Sequence, residues 1–238
     1  MTSGNTYDLS SNTHDRSSQV HLRTRFDREL ADLTERVLAM GSRSRQAVAQ
    51  AMTALAEGDT DLAREVIAGD KIINDMRFVI EKMCYGMLAM EQPVAGDMRA
   101  IVAALTITND LERIGDHGKR IAALSLRMGS EPRTIPMGDL KRLSALSLSM
   151  LDRALAAVVS RDVVEAEAVC RMDDQADALY KQIFNVTLSY MLENTRLIGV
   201  GTYIIQMAHE LERVADRATN VAERCIYAAT GRLVDLNV

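Results

Sequence analysis

Leu111-Glu112-Arg113-Ile114-Gly115-Asp116 returns at an offset of 100 as Leu211-Glu212-Arg213-Val214-Ala215-Asp216. Apolar, acidic and basic positions return together, which marks a repeated unit rather than chance agreement between two amphipathic helices. At an offset of 103, Val37, Met40, Val48, Ala51, Leu55, Asp59, Ala63, Val66, Asp70 and Asn74 meet Leu140, Leu143, Leu151, Ala154, Val158, Asp162, Ala166, Val169, Asp173 and Asp177. The change of offset puts a length difference between the copies near residues 92–99, where the first copy carries Pro93.

Each copy reads as helix. Only three prolines occur, Pro93, Pro132 and Pro136, and the intervals between them follow a 3.6-residue apolar period. Leu22, Phe26, Leu30, Leu33, Val37, Met40, Val48, Ala51 and Leu55 predict one long helix to about residue 56. Glu57-Gly58-Asp59 marks a turn, with Asp59 or Thr60 as cap, and a second helix runs to about Met90. A third starts at Pro93 and reaches about Met128. After a Gly- and Pro-bearing linker over 129–138 the plan recurs: a helix to about Val159, a second to about Glu193, and a third from about Arg196 to Thr230.

The expected architecture is all-α, a tandem repeat of two antiparallel three-helix bundles. Residues 1–19 are too polar to pack and are expected to form a flexible tail; 20–131 form the first repeat and 132–238 the second. Small residues, among them Gly115 and Gly118, let the third helix approach its neighbours closely. A two-copy chain with equivalent exposed surfaces also favours a homodimer.

Composition narrows the function. Lys and Arg number 28 against 33 Asp and Glu, a net charge of -5 without a basic stripe, which argues against direct nucleic-acid binding. The polar N-terminus lacks a signal-peptide core, and no run approaches the roughly 18 consecutive apolar residues of a membrane span. A cytoplasmic protein is expected. Cys84, Cys170 and Cys225 show no CxxC spacing and read as buried thiols.

The chemistry sits in four pairs: Asp70 with Asn74, Glu112 with Asp116, Asp173 with Asp177, and Glu212 with Asp216. Spacing of four puts each pair on one helix face, where like charges repel unless neutralised. Antiparallel packing would bring two pairs to similar heights in each repeat. Carboxylates so gathered resist desolvation, and a cation resolves the conflict. Oxygen ligands suit Mg, Mn, Ca and Fe. His209 precedes Glu212 by three residues on roughly the same face, so it joins the candidate ligands. His117 points about 100 degrees away from Asp116. Asn74 replaces a charged ligand, which makes the second repeat the stronger cation site.

Two other classes remain open on the residues alone. A carboxylate-bridged metal enzyme is one, although Glu112 and Glu212 are followed three residues on by Gly115 and Ala215, not by the histidine of di-iron bundles. No phosphate-cradling or nucleophile-elbow motif occurs, and no catalytic residue is assigned. A scaffold with solvated acids is the other.

Gln92-Pro93-Val94-Ala95-Gly96-Asp97-Met98-Arg99, with Asn109-Asp110-Leu111-Glu112-Arg113-Ile114-Gly115-Asp116-His117, resembles the first-half motif of the PhoU family, the phosphate-specific transport system accessory proteins. His209 to Ala222 resembles the second-half motif, and the likeness spans about residues 20–232. The resemblance implies a non-enzymatic cytoplasmic regulator, often dimeric, that binds divalent or trivalent metal ions, with Fe, Mn, Zn and Mg as candidates. It also implies partners: the phosphate ABC transporter ATPase and a membrane sensor histidine kinase, with membrane association only through them. Such proteins restrain phosphate uptake and repress the phosphate-starvation regulon. The family's metal positions fall on Asp70, Glu112, Asp116, Asp173, Asp177, Glu212 and Asp216. Asn74, Arg120 where asparagine is common, and Arg217 where histidine is common depart from the pattern, and Asn74 puts full loading of the first site in doubt.

Overall fold

A computed structural model of the protein describes residues 11–90, 93–129 and 134–234. The described elements are helices: α1 (Ser11–Glu57), α2 (Thr60–Met90), α3 (Ala95–Met128), α4 (Gly138–Ser160), α5 (Val163–Cys170), α6 (Asp173–Glu193) and α7 (Ile198–Thr230), with a 3-10 turn at Thr195–Leu197 before α7. Helices α1, α2 and α3 pack as one bundle, and α4, α5, α6 and α7 as the other. The all-α pair of three-helix-like bundles expected from the repeat is what the chain forms.

Phe26, Leu33, Val37, Met40, Val48, Ala51 and Leu55 are all buried, so the period read along α1 is its core face. Helix α1 begins at Ser11 and thus takes in residues expected in the tail, while residues 1–10 lie outside the described residues. The turns into the second helices are matching devices. Gly58 (φ 73°) and Arg161 (φ 55°) adopt the left-handed backbone that ends a helix, and the next residue caps the helix that follows. Asp59 Oδ1 accepts from the Asp61 and Leu62 amides at 3.0 and 2.9 Å, and Asp162 Oδ1 from the Glu165 amide at 3.0 Å.

One expected element is broken. The second helix of the second repeat ends at Cys170 and restarts at Asp173. Arg171 and Met172 have ψ of -14° and -16°, close to 3-10 values, and the Met172 amide bonds the Val169 carbonyl three residues back at 2.9 Å. Asp173 and Asp174 thereby occupy the first turn of α6, where the helix dipole favours negative charge. The first repeat runs unbroken through Asp70.

The repeats join along α3 and α7, which run antiparallel, since His117 meets Glu210 while Asp110 meets Arg217. Tight spacing is built in at Gly118, where a Cβ would stand 2.9 Å from the backbone of Ala47 and Val48 in α1, and at Gly115, where it would stand 2.7 Å from Ile73 Cδ1. Helix α4 is long and apolar enough by length and composition to cross a membrane. Its apolar face, including Leu140, Leu143, Leu151 and Ala154, is buried in the second bundle, which accounts for that composition. The three cysteines are buried and free, as read from their spacing.

Candidate metal centre

The two copies of the acidic site are built differently. In the first, Asp70 projects from α2 and is buried, and Lys119 reaches across from α3 to place Nζ 2.7 Å from Asp70 Oδ2. Asn74 Nδ2 donates to the same oxygen at 3.2 Å. Lys119 Nζ also lies 3.7 Å from Asp116 Oδ1, and Arg120 lies 3.9 Å from Asp116 Oδ2. Hydrogen bonding to Asp70 and the attraction of Asp70 and Asp116 hold the Lys119 ammonium above its ordinary value. Arg113 stands 3.9 Å from Glu112 Oε2.

In the second copy the acids line an open cleft of about 740 Å³ bordered by Asp173, Asp177, Glu212, Asp216, Arg217 and Asn220. Burial, reinforced by the charges of Asp216 and Asp177, pushes Asp173 up to about 6. Burial with the same two neighbours pushes Glu212 up to about 7. Asp216 is raised as well, chiefly by burial, against the opposing charge of Arg213. Arg171, Arg217 and Arg232 also border the cleft, and Lys181, mostly in solvent, lies 3.4 Å from Asp177 Oδ2. Thr219 stands at the place of Lys119 and offers Asp173 Oδ1 only a hydroxyl at 3.5 Å.

Of the expected ligands, Asp173, Asp177, Glu212 and Asp216 share this cleft. His209 is not among the residues lining it. Its Nδ1 lies 3.4 Å from Glu212 Oε2 and its ring 5.9 Å from that of Tyr180. The buried Glu212 Oε2 has no hydrogen-bond partner among the described residues. Among the described residues no three acidic, histidine or cysteine side chains converge as a finished ligand shell. The donor chemistry suits a hard cation, since four carboxylates border one cleft, Glu212 Oε2 lacks a hydrogen-bond partner, and burial raises the proton affinities of Asp173, Glu212 and Asp216.

Lys119 was not singled out by the acidic spacing, although its exchange for Thr219 at the offset of 100 is written in the sequence. Two further polar pairs also escaped that reading. His117 turns away from Asp116, as its position on the helix requires, and its Nδ1 meets Glu210 Oε2 of α7 at 2.6 Å. Arg120 adds a contact to the same oxygen at 3.5 Å. The repeat places Arg217 and Asn220 against Asp110 of α3 in the same way, at 3.3 and 3.4 Å. The two departures at Arg120 and Arg217 therefore lie at the junction of the repeats. Burial would raise Glu210, but the hydrogen bond and charge of His117 with the charge of Arg120 outweigh it and hold the carboxyl low. At Asp110 burial prevails over Asn220 and Arg217, and the value is raised.

Comparison with known proteins agrees with the repeat. The PhoU domain family matches residues 37–124 and again 140–225. A phosphate-specific transport system accessory protein PhoU homolog of Clostridium acetobutylicum is 38% identical over 213 residues, covering 89% of this chain and 97% of that protein. A homolog of Rhizobium meliloti is 37% identical over 208 residues, 87% of each chain. The crystal structure of PhoU from Pseudomonas aeruginosa superposes with a TM-score of 0.83 at 33% identity, covering 87% of this chain and 100% of that one. Two family matches laid end to end on the two bundles, with relatives matched over nearly their full length, lead to one conclusion: this chain belongs to the PhoU family.

Proposed function

We propose that the chain is a metal-binding adaptor that couples phosphate uptake to phosphate-starvation signalling. Its membership in the PhoU family makes it a cytoplasmic, non-catalytic regulator of phosphate homeostasis, and the reading as a carboxylate-bridged metal enzyme falls with that membership. The finer reading rests on one observation: Asp173, Asp177, Glu212 and Asp216 border a single cleft, in which burial raises the proton affinities of Asp173, Glu212 and Asp216. A divalent or trivalent ion such as Fe, Mn, Zn or Mg would relieve the repulsion among these acids and brace α6 against α7.

Braced in this way, the bundles act through their surfaces. Helix α2 exposes Ile72, Phe78, Val79, Tyr85 and Met90, an apolar face that supports binding to protein partners. The partners are the ATPase of the phosphate ABC transporter and a membrane sensor histidine kinase, with a second copy of the chain completing a homodimer. Association with the membrane is through those partners.

The test is genetic. Deletion of the gene should derepress phosphate-starvation genes in phosphate-replete medium. The wild-type chain should restore control, and a Glu212→Ala/Asp216→Ala chain expressed at the same level should not. Normal control in the deletion strain contradicts the role.

A further inference from the structure

The acidic sites of the two repeats differ at two positions, Lys119 against Thr219 and Asn74 against Asp177. Where α7 carries Thr219, α3 carries Lys119, and its ammonium bridges the helices that form the first repeat's site: 2.7 Å to Asp70 on α2 and 3.7 Å to Asp116 on α3. A positive charge thus stands between the second and third helices of the first repeat. The neighbouring Asn74 strengthens the difference, because it turns its amide hydrogens toward Asp70 Oδ2 and also donates to the Asp70 carbonyl at 3.2 Å. A donor aimed at the carboxylate competes with a metal ion, whereas Asp177, its counterpart, adds negative charge.

We infer that Lys119 is the resident cation of the first repeat, a tethered ammonium standing in for a metal ion, so that the chain loads metal in its second repeat alone. The inference rests on the second repeat being a metal site. A covalently tethered charge sits at high effective concentration, and an incoming ion must displace it and endure its repulsion. Asp70 is 8% exposed, and Lys119 and Asn74 both donate to its Oδ2, while its buried Oδ1 has no hydrogen-bond partner among the described residues. The first repeat is then braced at all times, while the state of the second follows metal supply.

The test uses full-length protein freed of metal and dialysed against Mn(II), with bound manganese measured by elemental analysis and folding followed by circular dichroism. Glu212→Ala/Asp216→Ala should lose all bound manganese, and because it removes mutually repelling charges it should remain folded. Adding Lys119→Thr and Asn74→Asp in that background, which copies the second repeat's residues onto the first, should restore binding. Retention of about half the wild-type manganese by Glu212→Ala/Asp216→Ala would overturn the inference and leave the proposed function standing. So would a folded quadruple variant that binds none. Wild-type protein that binds no manganese in either repeat overturns the inference and the proposed metal site together.

Discussion

His117 Nδ1 stands 2.6 Å from Glu210 Oε2 across the junction of the two repeats, and the same positions exchanged between the copies hold Arg217 3.3 Å from Asp110. Helices α3 and α7 are thus tied by two equivalent acid-to-base contacts, one at each end of a local pseudo-twofold. His117 is 3% exposed, so its partner cannot be removed cheaply. Glu210→Ala should cost roughly 2–4 kcal/mol in urea unfolding, because it leaves a buried ring nitrogen without its acceptor. A cost below about 0.5 kcal/mol would show that the contact does not hold the repeats together.

Packing gives a second prediction. At Gly118 an added Cβ meets backbone atoms of Ala47 and Val48 at 2.9 Å, and backbone cannot swing aside. Gly118→Ala should destabilise the chain by about 1–3 kcal/mol. Gly86, in α2 with nothing within 4 Å of its would-be Cβ, should gain roughly 0.5–1 kcal/mol on Gly86→Ala. Thermal melts of the two variants should move in opposite directions.

A third concerns the left-handed Arg161, the counterpart of Gly58. A non-glycine residue there pays for a crowded Cβ, so Arg161→Gly should stabilise by up to about 1 kcal/mol. Destabilisation instead would mean that the arginine side chain contributes more than its backbone costs.

The organisation of this turn was legible in the sequence, as was most of the fold. Gly58-Asp59 against Arg161-Asp162, and the apolar period through Phe26, Leu33 and Val37, depend on neighbours along the chain, and local spacing reports them. The break between Cys170 and Asp173 was hidden because neither proline nor glycine marks it and two residues with helix-like φ suffice to tighten the turn. The four acids of the second repeat were found from their spacing, since residues one turn apart share a face. Lys119 and Glu210 were not found, because each acts on a carboxylate or histidine of a different helix, and only packing determines which helix that is.

Acidity supplies the fourth prediction. Glu212 is raised from 4.5 to about 7 and Asp173 from 3.8 to about 6, so the folded metal-free chain binds these protons more tightly than the unfolded one. Their contribution to stability is fully present below the ordinary carboxylate values and is lost as pH rises through about 4 to 7. Metal-free protein should therefore lose several degrees of Tm from these groups between about pH 5 and pH 7.5. Glu210 is shifted in the other direction, so the informative quantity is the difference from Glu212→Gln, whose Tm should fall less over that interval. Parallel curves for the two proteins would contradict the assignment.

The proposed metal ion of the second repeat is held by Asp173, Asp177, Glu212 and Asp216. Elemental analysis of wild-type protein purified without chelators from metal-replete cells, beside Glu212→Ala/Asp216→Ala prepared identically, tests it most directly. Stoichiometric metal is expected in the wild type and none in the variant; equal metal content in the two, or its absence from both, would rule out a metal site there.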